Sequence, residues 1–215
     1  MRRHLSPPSG IKKTGLQFLC SIVCVLLSYL FHVVPSSAEE RSPRARAGTQ
    51  DVGLVGGPMF PIRVLSTQSS KLFGGATALS WSRTMTDALG RSWYQGDIAL
   101  GVEMLGFGTS EPVSAYGIGA TPKLVYSSTG FGHFRPYLEG GGGPIWTDLG
   151  GRVPEEPGQF NFVVWGGGGC DWKMNRQWSV RGGFRFVHIS NAGTRSPNSG
   201  LNFGFPFVGL SRTLF

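Results

Sequence analysis

Between Trp93 and Met104 every second residue is apolar or small: Tyr94, Gly96, Ile98, Leu100, Val102 and Met104, with Gln95, Asp97 and Glu103 among the residues between them. A two-residue period is the signature of a strand, because successive side chains leave opposite faces. The scheme returns with Trp178, Val180, Gly182, Phe184 and Phe186 set against Gln177, Ser179, Arg181 and Arg185, and with Phe134, Pro136 and Leu138 set against Arg135, Tyr137 and Glu139. Charges of both signs therefore share one strand face. A soluble sandwich or lipocalin turns its apolar face inward and its charges to water, whereas an outer-membrane barrel shows its apolar face to lipid and can pair polar groups inside.

About eight segments carry this pattern, near 52–66, 72–85, 92–107, 114–126, 131–147, 159–171, 176–190 and 199–215. Thr86-Asp87-Ala88-Leu89 and Met174-Asn175 read as short turns, and 108–113, 148–158 and 191–198 as longer polar loops. An even strand count with short turns at one end and long loops at the other belongs to an eight-stranded antiparallel outer-membrane β-barrel, an all-β fold expected over 51–215. The chain ends in Phe215, as many such barrels do. The glycine runs Gly140–Gly143 and Gly166–Gly169 precede no Lys-Ser/Thr pair and open no helix, so close packing or strand bending explains them better than a phosphate loop.

The N-terminus supports export. Arg2, Arg3, Lys12 and Lys13 precede an apolar run from Leu16 to Val34, and Ser36 and Ala38 then present a small-x-small cleavage pattern. Residues 1–38 thus read as a signal peptide and 39–50, with its Pro and Arg residues, as a flexible leader. Removing those four basic residues lowers the formal charge from +8 to +4, and the nucleic-acid reading loses its support. Cys170 would remain as the single cysteine, a small buried residue. Charged residues are 15% of the chain, against about 25% in an average protein. That deficit fits a wall facing lipid.

An eight-stranded barrel is filled by its own side chains, so chemistry must lie on the outer wall or the rim. His188 and Ser190 fall on the lipid-facing side of the seventh strand as it enters a long loop. Two residues apart on a strand, they point the same way, and an imidazole there can take the hydroxyl proton as the oxygen attacks an acyl carbonyl. Asn191 and the backbone N–H groups of Ala192 and Gly193 are candidates for an oxyanion hole. A rim His and Ser bonded only to water or lipid headgroups is the plainer alternative. No metal or cofactor is called for, and His133 reads as an interfacial residue.

The run Phe186-Val187-His188-Ile189-Ser190-Asn191-Ala192-Gly193 and the following Pro197-Asn198-Ser199-Gly200 resemble the signature of the PagL family of lipid A 3-O-deacylases, as does Pro136-Tyr137-Leu138-Glu139-Gly140-Gly141. The resemblance implies an outer-membrane ester hydrolase that removes an acyl chain from lipid A, with Ser190 as nucleophile and His188 as base. One position departs. Where the best-known members carry Glu, this chain has Asn202, whose carbonyl can orient the imidazole but stabilises imidazolium less than a carboxylate. Pairing Asn202 with His188 would turn the even residues of the last strand to lipid, which leaves Phe203, Phe205 and Phe207 either in the lumen or moved outward by a bulge near Pro206.

The implied partners are the membrane and the lipid A or lipopolysaccharide of its outer leaflet, with a homodimer as a further option. Arg195 at the rim is a candidate for the lipid phosphates. Two other classes stay open at this point: a structural or adhesive barrel in which Asn202 marks lost activity, and a soluble periplasmic lipid carrier.

Overall fold

The computed structural model describes residues 47–63, 69–91, 94–129 and 131–214. The expected signal peptide, most of the leader, Trp93 and Phe215 lie outside them. Eight strands follow in chain order: β1 (Gln50–Pro61), β2 (Phe73–Thr84), β3 (Gly96–Glu111), β4 (Ala115–Ser128), β5 (Phe134–Thr147), β6 (Phe160–Lys173), β7 (Trp178–Ser190) and β8 (Leu201–Leu214). Each pairs antiparallel with the next, and β1 pairs with β8 to close the barrel. β1 begins at Gln50, inside the stretch read as leader, and Gly48 and Thr49 already bond to Thr84.

The alternation read from the sequence is the wall of this barrel. Val102, Met104, Leu124 and Val164 face outward and are more than half exposed, while Asp97 and Glu103 are buried in the lumen. Inside, charges are paired. Arg185 bonds both oxygens of Glu103, at 2.7 and 2.9 Å, and one oxygen of Glu139 at 2.7 Å. Lys123 lies 3.5 Å from Glu103 and 3.3 Å from Glu139. Arg181 grips Asp171 with two bonds of 2.7 Å, and Arg135 pairs with Asp97. Aromatic rings complete the filling, with the Arg185 guanidinium 4.1 Å from the Trp165 ring centre and 5.0 Å from that of Phe207.

The last strand keeps its register through Pro206, which stands opposite Phe184. Phe203, Phe205 and Phe207 are buried and fill the lumen, so no bulge moves them outward. The glycine runs do pack closely. A Cβ on Gly167 or Gly169 would sit 2.1 Å from the carbonyl oxygen of Phe184 or Gly182 on β7, so only glycine lets β6 and β7 approach this far.

Three local expectations change. The 108–113 stretch is mostly strand, because Thr109 stays in the ladder and its hydroxyl bonds Val113 O at 2.7 Å and Ala115 N at 3.0 Å, leaving only 112–114 as the connection. Thr86–Leu89 is part of a longer connection, 85–95, pinned by a bridge from Leu89 to Gly96. Cys170 is half-buried on the outward face rather than enclosed. The Met174-Asn175 turn forms as read, with Asn175 Oδ1 accepting the N–H groups of Gln177 and Trp178 at 2.9 Å.

Candidate active site

The strand ends at the 191–200 loop bring two of the sequence candidates, His188 and Asn202, into contact, while among the described residues no hydrogen bond joins Ser190 to His188. β7 and β8 set His188 directly opposite Asn202, both on the outer wall. Their side chains bond, His188 Nδ1 to Asn202 Oδ1, at 2.7 Å. Because the amide oxygen only accepts, this bond places the imidazole proton on Nδ1 and leaves Nε2 as the basic nitrogen. Asn202 is almost wholly buried despite facing outward. Ser190 shares the face of His188, is half-buried, and pairs with Phe162 of β6.

Gly200 makes the imidazole's position possible. Its φ is +69°, and a Cβ there would lie 2.6 Å from His188 Cε1 and 3.2 Å from Nε2. Any larger residue would both strain the backbone and displace the His188 ring.

The loop itself is tied from within. Asn191 is fully buried; its Nδ2 donates to Pro197 O at 2.9 Å and its Oδ1 accepts the Gly193 N–H at 3.0 Å. The Asn191 N–H donates to Asn198 Oδ1 at 3.1 Å, and Thr194 bonds back to Asn191 O. Of the expected oxyanion donors, Asn191 and Gly193 are thus spent on loop structure. The Ala192 N–H has no acceptor among the described residues. Ala192 and Gly193 sit in the left-handed region, at φ 53° and 76°, which turns the chain sharply beside Ser190.

Two groups of contributors escape sequence reasoning. Asn198 belongs to the motif, yet its part in holding Asn191 shows only once the loop is closed. Phe60 and Ile62 become neighbours of the site because β1 pairs with β8; the Ile62 N–H donates to Asn202 O at 3.0 Å. A Cβ on Gly204 would strike both side chains. Phe60 and Phe184, their ring centres 6.5 Å apart, extend an apolar wall below the site. The outward-facing even residues of β1 were the available signal, but only barrel closure says which strand they meet.

Arg195 is exposed and helps to line a cleft of about 340 Å³ with Trp146, Gln159 and Phe160, on the Ser190 side of the site. His133 is an exposed turn residue at the other end of the barrel. Among the described residues no group of three or more His, Cys, Asp or Glu side chains converges as metal ligands do.

The 148–159 loop carries two acids in contrasting settings. Burial raises the Glu155 carboxyl, but hydrogen bonds from Ser70 and Ser69 outweigh it and hold the group below its usual range. Glu156 is fully buried with both oxygens unpartnered; burial first, and the Glu155 charge second, push it up to about 7. A raised folded-state pKa means that this group's contribution is fully present below about 4.5 and is lost as pH rises through about 7. Glu156→Gln is therefore expected to raise thermal stability at pH 8, by on the order of 2–3 kcal/mol, and to change it little at pH 4. Melting curves at the two pH values check this, and an equal effect at both would refute it.

With its apolar face toward lipid and its charges paired inside, the molecule is a small integral barrel of the outer membrane. The family model of lipid A 3-O-deacylase (PagL) matches residues 72–211, and the chain belongs to that family. The crystal structure of the outer membrane enzyme PagL matches with a TM-score of 0.51 and 23% identity, over 74% of this chain and 97% of that one. Neisserial surface protein A matches with a TM-score of 0.55 and 14% identity, over 78% of this chain and 99% of that one. At such identities both structures speak to the fold alone. No curated protein sequence matches the chain.

Proposed function

We propose that this barrel hydrolyses the ester of the 3-O-linked hydroxyacyl chain of lipid A, with Ser190 as nucleophile, His188 as base and Asn202 as the residue that orients the imidazole. The observation that carries the reading is the 2.7 Å bond from His188 Nδ1 to Asn202 Oδ1 on the lipid-facing wall. It holds the tautomer a general base needs. Membership of the PagL family supports the substrate class, and reading residues 1–38 as a cleaved signal peptide fits delivery to the outer membrane.

In this scheme Ser190 Oγ attacks the ester carbonyl while His188 Nε2 takes its proton. The Ala192 N–H, which meets no acceptor among the described residues, is the donor that this reading assigns to the developing oxyanion. The tetrahedral intermediate expels the sugar oxygen, which takes the proton back from His188. Water, deprotonated by the same nitrogen, then releases the hydroxy fatty acid from Ser190 and restores the enzyme. The apolar wall at Phe60 and Phe184 gives the departing chain a surface continuous with the bilayer.

Asn202 supplies orientation without a counter-charge. A charge-assisted bond exceeds a neutral one by about 1–2 kcal/mol, so Asn202→Glu is expected to raise kcat roughly 5- to 30-fold. Asn202→Leu removes the acceptor and should lower kcat by about 100-fold or more. Release of 3-hydroxy fatty acid from lipid A micelles by refolded protein measures both. Wild-type rates in Asn202→Leu would remove Asn202 from the mechanism. A non-catalytic barrel is the second reading, favoured by the missing carboxylate, and the absence of release from both wild type and Asn202→Glu would establish it.

A further inference from the structure

A cleft of about 270 Å³ opens between the end of β1 and the start of β2, lined by Pro61, Arg63, Ser70, Lys71 and Phe73. It lies at the same end of the barrel as His188, since Pro61 pairs with Phe203, the residue after Asn202. Ile62, between Pro61 and Arg63, donates its N–H to the Asn202 carbonyl. One strand spacing, about 4.8 Å, therefore separates β8, which holds the residue orienting the imidazole, from the strand that leads into this cleft.

We propose that this cleft is an anion subsite in which Arg63 and Lys71 take a phosphomonoester of the glycolipid head, an assignment that rests on the reading of the site given above. Arg63 and Lys71 are both exposed, and among the described residues neither meets a carboxylate. In the lumen, by contrast, Arg135, Arg181 and Arg185 are each matched to an acid. Two exposed cations that line one cleft at the rim without acidic partners among the described residues make a place for an anionic ligand.

The cleft is held in shape by an acid that is already occupied. Glu155 accepts the Ser69 N–H and Oγ at 2.7 and 2.9 Å and the Ser70 N–H and Oγ at 2.7 and 2.6 Å. Those four donors absorb its charge and fix Ser70, leaving the Arg63 fork and the Lys71 ammonium to face the ligand. A guanidinium fork binds two phosphate oxygens at once, and an ammonium adds a point charge. Phe73, about half exposed at 49%, gives the cleft an apolar edge toward the bilayer. Cations above an apolar edge suit a phosphorylated sugar whose acyl chains run down the wall.

Binding to the full-length, folded Ser190→Ala protein in detergent tests the subsite without turnover. The probes are bisphosphorylated lipid A, the same lipid after enzymatic dephosphorylation, phosphatidylglycerol vesicles and inorganic phosphate. The expected result is a preference of roughly tenfold or more for the phosphorylated lipid, weakened by salt and lost when Arg63→Gln and Lys71→Gln are added. Retention of that preference in the added double substitution would overturn the subsite, as would equal binding of phosphatidylglycerol or saturation by inorganic phosphate with no discrimination among lipids. Heat-modifiable gel mobility confirms that each variant is folded. If wild type leaves lipid A intact while the preference depends on the two cations, the subsite stands and the hydrolytic reading falls; hydrolysis with a preference that ignores them sinks the subsite alone.

Discussion

Replacing Ser190 by alanine is expected to reduce lipid A deacylation by roughly 1,000-fold or more, and His188→Ala should do the same. The double variant should be no worse than either single one, since nucleophile and base act as one unit and losses within such a unit do not add. Neither change should disturb the barrel. Both residues lie on the outer wall, away from the Arg185 cluster, and His188 gives up only its bond to Asn202. Fatty-acid release measured beside heat-modifiable mobility separates lost chemistry from lost folding. Additive losses would mean that the two residues act independently.

Arg185→Met carries the second large effect, on stability. Arg185 is 2% exposed and provides three hydrogen bonds to Glu103 and Glu139. Without it two carboxylates remain in the lumen with Lys123 alone, at 3.5 and 3.3 Å. Breaking a buried ion network from one side costs about 3–5 kcal/mol, because the orphaned charges cannot regain water. The whole network is a different matter: replacing charges on both sides together is often nearly neutral. Arg185→Met combined with Glu103→Gln and Glu139→Gln should therefore recover much of the loss. Urea unfolding midpoints in lipid or detergent test this, and a single variant within 1 kcal/mol of wild type would show that the cluster contributes little.

Much of the barrel was legible because lipid and lumen impose opposite demands on alternate residues. Asp97 and Glu103, set among Ile98, Leu100, Val102 and Met104, could only be reconciled by charges inside and an apolar wall outside. The connections were harder to read. Polar Thr109 looked like loop, yet its hydroxyl caps the β3–β4 turn and extends the strand; Thr86–Leu89 looked like a tight turn, yet a single bridge closes a wider one. The phenylalanines of β8 were ambiguous because an aromatic suits lipid and lumen equally, and only the unbroken pairing with β7 decides between them.

The site was legible in part. His188, Ser190 and Asn202 stand out as candidates by their residue types, and strand register brings His188 and Asn202 into contact. The loop misled the reading of Asn191. An amide beside a nucleophile suits an oxyanion hole, but the same amide also closes a turn, and burial gave it the second task. Phe60 and Ile62 stand far from His188 in the chain, and the β1–β8 closure that brings them near is a property of the completed barrel.

Mass spectrometry of lipid A held in vesicles with the refolded wild-type protein, beside Ser190→Ala, reads out the Ser190 deacylation mechanism itself. That mechanism gives a product lighter by one 3-hydroxyacyl chain with wild type, the matching free hydroxy fatty acid, and unaltered lipid A with Ser190→Ala. Unaltered lipid A with wild type, or the same product with Ser190→Ala, would contradict it.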